Sequence, residues 1–347
     1  MLALLAIATM AQAQVVLDET NFPDANFRAA LAEILRISEG DEITAEKIAA
    51  TTSLNVFKES IADLTGIEHF TALTELRCYS TQLTSLDLSK NTALTYLLCV
   101  GNQLTSLDVS GCTALKTLIC QANRLTSLDV SKNTALTRLE CFNNCLTSLD
   151  LSKNTALTWL SCNNNQLTSL DVTQNTELYY LSCTNNQLTS LDVSKNTALT
   201  ILWCDSNQLT SLDVSQNPAL TFLSCFNNQI KGEAMDVLVA SLPTVEDYGY
   251  FYVIDTKDEN EGNVCTKSQV AVAKEKGWTV YDYNGDITDD DFYHPEYEGS
   301  EDTNSVHGAE FTVQSPDENW YTIDGIKLNG EPTKKGIYVV KGKKVKR

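Results

Sequence analysis

At 347 residues the chain is longer than the roughly 100–200 residues of a usual single core, so it needs several domains or a fold that grows in one dimension. Its net charge of −20 argues against general nucleic-acid binding, since phosphates demand a basic face. No internal run approaches the ~18 apolar residues of a membrane span, so no transmembrane segment is expected. In chain order, residues 1–14 read as an export signal. An apolar run, Leu2 to Met10, precedes the A-x-A cleavage pattern Ala11-Gln12-Ala13, although the positively charged start of such signals is missing. Residues 15–70 are non-repetitive and read as a helical N-terminal cap. Asp24 is an acidic N-cap for a stripe of Phe27, Leu31, Ile34 and Leu35, and a second short helix starts near Thr44 and covers Ile48. Ile61, Leu64, Ile67 and Phe70 lead into the next region as an imperfect half-rung.

Residues 71–231 repeat one phrase at a period of 21 residues. One copy runs Leu83-Thr-Ser-Leu86-Asp-Leu88-Ser-Lys-Asn91-Thr-Ala-Leu94-Thr-Tyr-Leu97-Leu-Cys99-Val-Gly-Asn102-Gln. Cys78, Cys99, Cys120, Cys141, Cys162, Cys183, Cys204 and Cys225 keep the same interval. A period in the 20–29 range enclosing L-x-x-L-x-L-x-x-N-x-L, here with Cys as the third leucine, is the signature of a leucine-rich repeat solenoid. One copy cannot close a core alone and must stack on its neighbours. Leu97 and Cys99 alternate with outward residues, as in a short strand, and Asn102 with its copies forms a buried ladder that satisfies backbone groups in the turn. The half from Leu83 to Leu94 nearly repeats the other, which predicts two parallel ladders, one on each broad face of a β-rich, flat solenoid. The ladder cysteines point inward and read as free thiols packed as small hydrophobes. Parallel neighbours suit a disulfide poorly, and no histidine lies among them to suggest zinc. Cys112 takes an Asn position, and Cys145, in place of a turn Gln, is the expected reactive thiol.

Residues 232–285 read as an α+β C-terminal cap. It contains an amphipathic helix from Glu233 to Leu242, a strand at Tyr250–Ile254, a capping box Thr266-Lys-Ser-Gln269 opening a helix through Lys276, and a strand at Trp278–Tyr283. Residues 286–319 form an acidic linker without Lys or Arg, and 320–347 a basic β tail around Gly-containing turns.

With these segments in hand, the chain resembles secreted and surface leucine-rich repeat proteins of Bacteroides-type bacteria, with a looser likeness to the internalins. The resemblance rests on Asn21-Phe-Pro-Asp-Ala-Asn-Phe27, on rung phrases such as Gln187 to Asn196, on Asn228-Gln-Ile-Lys-Gly232 and on Lys276-Gly-Trp278. It implies an extracellular interaction protein. The tail Gly336-Ile-Tyr-Val-Val-Lys-Gly-Lys-Lys344 looks like segments that direct such proteins to surface attachment. Relatives often carry an EF-hand-like loop in the first cap. Here Arg36, Ser38, Gly40 and Lys47 fall where ligands belong, which suits calcium poorly.

No enzyme is expected. His69, His294 and His307 lie in separate segments, no G-x-S-x-G or phosphate-binding loop occurs, and no cofactor or metal signature is present. The informative contrast is between two sets of outward columns. Ser85-Asp87-Ser89 recurs almost unchanged to Ser211-Asp213-Ser215, whereas the columns beside Leu97 and Cys99 vary greatly. The latter carry Tyr96, Arg138, Glu140, Phe142, Trp159, Tyr180, Trp203, Asp205, Phe222 and Phe226, the candidate ligand-binding residues. Aromatic and Arg groups in water-facing columns point to a binding surface for an extracellular protein or glycan, as in an adhesin. The alternative is a structural surface protein that packs through the constant Ser/Asp face. Seven aspartates spaced ~4.8 Å apart repel by roughly 1 kcal/mol per pair even in water. Lys90, Lys132, Lys153, Lys195 and Ser hydroxyls offset this, or else calcium bridges the column.

Overall fold

The computed structural model describes residues 15–57, 60–284 and 294–302, together with the backbone of three strands in the tail. The chain divides into two compact units, residues 1–300 and 301–347. In the first unit, β1 (Val15–Val16) pairs antiparallel with β2 (Glu42–Ile43) beside α1 (Ala25–Leu35) and α2 (Ala45–Ala50). The expected helix N-cap at Asp24 is in place. Asp24 accepts from the amides of Asn26 and Phe27 at the start of α1, and also from those of Ala62 and Asp63, tying the helix to the half-rung. Thr44 caps α2.

The sheet begins inside this N-terminal segment with β3 (Ser53–Asn55). It continues through β4 (Glu75–Arg77), β5 (Tyr96–Leu98), β6 (Thr117–Ile119), β7 (Arg138–Glu140), β8 (Trp159–Ser161), β9 (Tyr180–Ser182), β10 (Ile201–Trp203) and β11 (Phe222–Ser224). Beyond α3 (Glu233–Ser241), β12 (Gly249–Ile254) adds in parallel to β11. After α4 (Lys267–Glu275), β13 (Trp278–Asp282) adds to β12, completing an 11-stranded parallel sheet. The Thr266–Gln269 capping box opens α4. Every rung-to-rung pairing from β4 to β11 is offset by 21 residues, so equivalent side chains stack in columns.

Burial explains the period. Leu76, Leu97, Leu118, Leu139, Leu160, Leu181, Leu202 and Leu223 are fully inside, as are all eight ladder cysteines. Each buried leucine contributes about 1.5–3 kcal/mol, and no single rung can bury its own. The strands stop after three residues because the chain turns two positions beyond the Cys. There Ser80, Gly101, Ala122, Asn143, Asn164, Asn185, Ser206 and Asn227 all take a left-handed backbone. Asn tolerates that conformation better than most residues, which accounts for its recurrence.

The Asn102 ladder is present. In each rung its amide nitrogen donates to the Cys carbonyls of its own and the preceding rung, as from Asn144 to Cys141 and Cys120, while its oxygen accepts from a leucine amide, here Leu125. The expected second strand ladder is not formed among the described residues. A column of buried asparagines replaces it, as where Asn133 donates to the carbonyls of Val109 and Cys112. The reason lies in the aspartates. Asp87 accepts from the Ser89 amide at 2.8 Å and the Asn91 amide bonds to Leu88, so this half-rung coils into turns whose peptide groups cannot form a strand ladder.

In the second unit, β14 (Trp320–Thr322), β15 (Ile337–Val340) and β16 (Lys343–Lys346) form an antiparallel sheet in that order. The expected signal at 1–14 and most of the acidic linker lie outside the described residues.

Candidate functional site

The strands put the varied columns on one face, because alternation sends Leu97 and Cys99 inward and Tyr96, Leu98 and Val100 outward. The stacking of equal positions, one rung apart, then brings distant residues into contact. Trp159 and Tyr180 lie ring on ring, with centroids 3.6 Å apart and planes 4° apart. The Arg138 guanidinium covers the other side of Trp159 at 4.6 Å and is itself held by an ion pair to Glu140. Tyr179 meets Trp159 edge-on. Burial, tempered by a bond to Ser182, raises the Tyr180 hydroxyl above its usual value of 10.0. Nearer the N-terminus, Arg77 lies over Tyr96 at 4.8 Å and Tyr79 stacks on Phe57.

A second aromatic cluster begins at Trp203, which stacks on Phe222 at 4.5 Å. Phe222 passes the stack to Tyr252 and Tyr250, and Tyr252 to Tyr281 at 4.9 Å. Alongside, Phe226 stacks on Tyr283 at 4.2 Å and Tyr283 on His294. Residues 295–297 run along the last strand, with Glu296 bridged antiparallel to Tyr281. The sequence reading missed Tyr250, Tyr252, Tyr281, Tyr283 and His294 because they fall after the repeat ends. The signal was there in Tyr250-Phe251-Tyr252, which has the outward-inward-outward pattern of a rung without its 21-residue spacing.

Of the ten candidate residues, Tyr96, Arg138, Phe142, Trp159, Tyr180, Trp203 and Phe222 are half-buried on this face. Three others are corrected. Asp205 is 3% exposed, Phe226 5% and Glu140 9%. Neighbouring side chains close over them. Thr184 and Ser224 donate their hydroxyls to Asp205, Tyr283 covers Phe226, and Arg138 holds Glu140. Alternation fixes the direction of a Cβ but not what a long neighbour lays across it.

The opposite columns have a structural explanation. Asp87, Asp108, Asp129, Asp150, Asp171, Asp192 and Asp213 each accept the amide two residues further on. For Asp87, Asp129 and Asp150 that amide, followed by the hydroxyl of the same serine, holds the carboxylate below its usual 3.8. Two shallow grooves of about 210 and 260 Å³ lie here, one beside Asp87 and Lys90, the other between Asp192 and Asp213. Among the described residues, no three His, Cys, Asp or Glu side chains come together in a way that could hold a metal ion.

The thiols are hydrophobes rather than reagents. Burial pushes Cys99 and Cys141 up to about 12 and Cys112 to about 11. Cys145 alone among the eleven is not buried. His69 packs edge-on against Phe22, and His307 lies outside the described residues.

No family model matches the chain. Over 70 residues, 20% of this chain and 8% of the relative, it is 49% identical to internalin J of Listeria monocytogenes serotype 4b (strain F2365). Among solved structures it is similar to the functional domain of InlJ from Listeria monocytogenes, described as including a cysteine ladder. The identity is 42% and the TM-score 0.68, over 78% of this chain and 56% of that one. Internalin C2 of strain 4b F2365 matches at a TM-score of 0.56 and 24% identity, over 60% of this chain and 96% of its own, and so shares the fold. The chain thus spans only part of the internalin J that it matches. Its fold is the leucine-rich repeat.

Proposed function

We propose that this chain is an exported binding protein whose varied face captures an extracellular partner, protein or glycan, without catalysis. The observation that carries the reading is the aromatic surface itself. Trp159, Tyr180, Trp203 and Phe222 stand in water-facing columns, joined by Tyr250, Tyr252 and Tyr281 beyond the repeat. Aromatic rings backed by a fixed Arg are what a binding hot spot requires, because their rotamers are already locked before a partner arrives. Where the rings meet face to face, their rims are left for the partner, which favours a polypeptide over a sugar that needs a free ring face. The relatives named internalin supply the analogy for a surface-acting binder. Export by residues 1–14, retention through the tail and an origin in Bacteroides-type bacteria belong to the same reading.

The constant face needs no partner to account for it, since each aspartate builds its own turn. The test is capture from host extracellular extract and from a glycan array, comparing the natural chain with Trp159→Ala, Tyr180→Ala and Trp203→Ala. Loss of capture with little change in melting supports the reading, and undiminished capture by all three variants refutes it. Tryptophan quenching by a glycan on the array would assign the partner to sugars.

A further inference from the structure

Asp205 has no role in the repeat. Its copies are Tyr79, Val100, Gln121, Phe142, Asn163, Thr184 and Phe226, so no rung needs a carboxylate there. It nevertheless ties three rungs together. Its Oδ1 accepts from Thr184 Oγ1 of the preceding rung at 3.1 Å and from Ser224 Oγ of the following rung at 2.8 Å. It lies where the repeat meets the aromatic cluster of the last strands, beside the Phe226–Tyr283 stack.

The groups that face it are the buried thiols of Cys183, Cys204 and Cys225 from the core and the Tyr283 hydroxyl from the segment after β13. Tyr283 in turn feels Asp255 and is stacked by His294. Glu261, near Cys225, spends its carboxylate on the amides of Asn227, Asp255 and Asn263. None of these groups is a lysine or arginine, and Asp205 makes no ion pair among the described residues. A carboxylate buried without a cation is costly, and the cost is relieved by taking up a proton or by letting water in.

We propose that Asp205 is a pH-sensitive latch on the C-terminal end of the aromatic face. With the carboxyl protonated, the Phe226–Tyr283 stack stays closed over it. With the carboxylate ionised, hydration competes with that stack and the end of the face opens more often. Burial, only partly opposed by Ser224 and Thr184, places the transition at about 6, against 3.8 for an ordinary aspartate. If opening returns Asp205 to its ordinary value, linkage makes opening about tenfold more frequent at pH 7.5 than at pH 5.

The test is hydrogen exchange on the full chain at several pH values, corrected for intrinsic exchange rates and read at the Tyr283 amide, which donates to Ile254 at 2.8 Å. The expected result is a roughly tenfold loss of protection between pH 5 and 7.5. That loss should vanish in Asp205→Asn and persist in His294→Gln, which removes the neighbouring titratable ring. A natural chain with flat protection overturns the proposal, as does an Asp205→Asn variant with the same pH response. Should Asp205→Asn not fold, Ser224→Ala serves instead. Losing a donor to the ionised form must move the midpoint upward, and an unmoved midpoint overturns the latch.

Discussion

Replacing one asparagine of the ladder tests the rung-closing role directly. Asn144 is buried, and its nitrogen lies 3.1 Å from the Cys120 carbonyl and 3.0 Å from that of Cys141. Its oxygen accepts from the Leu125 amide at 3.0 Å. In Asn144→Ala, the Leu125 amide loses its partner in a site closed to bulk water, while the Cys120 and Cys141 carbonyls each lose one of two donors and keep Asn123 and Asn165. Each of the two lost carbonyl bonds is worth about 1 kcal/mol net and the stranded amide about 1–3, so the expected cost is about 3–5 kcal/mol. Because a solenoid's stability is a sum over neighbouring interfaces, the loss falls on the contacts of this rung with both neighbours. Guanidinium unfolding of the whole chain, followed by far-ultraviolet circular dichroism, measures it. Asn143→Gly is the control. Asn143 is exposed and left-handed, so glycine there should change stability by no more than about 0.5 kcal/mol. A loss below about 1 kcal/mol in Asn144→Ala would refute the reasoning, because the ladder would then be an ornament of a core held by leucine alone.

Other outcomes follow from single positions. Ala122 sits at φ 54°, in a column where asparagine or glycine is at ease, and Ala122→Gly should raise stability by about 0.5–1 kcal/mol in the same assay. Asp24 is pulled up by burial, but four backbone amides outweigh this and hold it below 3.8. Its contribution is therefore present above 3.8 and lost as pH falls through the lower folded value, and Asp24→Ala should cost about 1–2 kcal/mol at neutral pH by loss of the cap. Asp205 has the opposite sign. Its folded value of about 6 lies above 3.8, so stability is greatest below 3.8 and is lost as pH rises to about 6. Thermal melts should show the natural chain losing about 2 kcal/mol relative to Asp205→Asn between pH 4 and 7.

The periodic part of the fold was legible because stacking makes every copy answer to the same constraint. Twenty-one residues bring Leu97 onto Leu118 and Cys99 onto Cys120, and one period states both facts. Two features escaped for physical reasons. The half-rung from Leu83 to Leu94 carries the leucine spacing of its partner, yet Asp87 diverts its backbone into a turn through a hydrogen bond that hydrophobic periodicity does not register. The sheet also continues past the repeat, since β12 and β13 join it at offsets of 28 and 29 residues instead of 21. At the candidate site, alternation gave the right face for Trp159, Tyr180 and Trp203. It failed at Asp205, closed over by Thr184 and Ser224, and at Phe226, whose cover comes from Tyr283, a residue 57 positions further on in the sequence.

Thiol labelling tests the inward direction of the rungs most directly, since the outward face exists only if leucine and cysteine turn away from it. In the folded chain, Ellman's reagent should react promptly with one thiol, Cys145, and the remaining ten of the eleven should react only on unfolding. Prompt reaction of the ladder cysteines would place them at the surface and turn the aromatic columns into the core, contradicting the account.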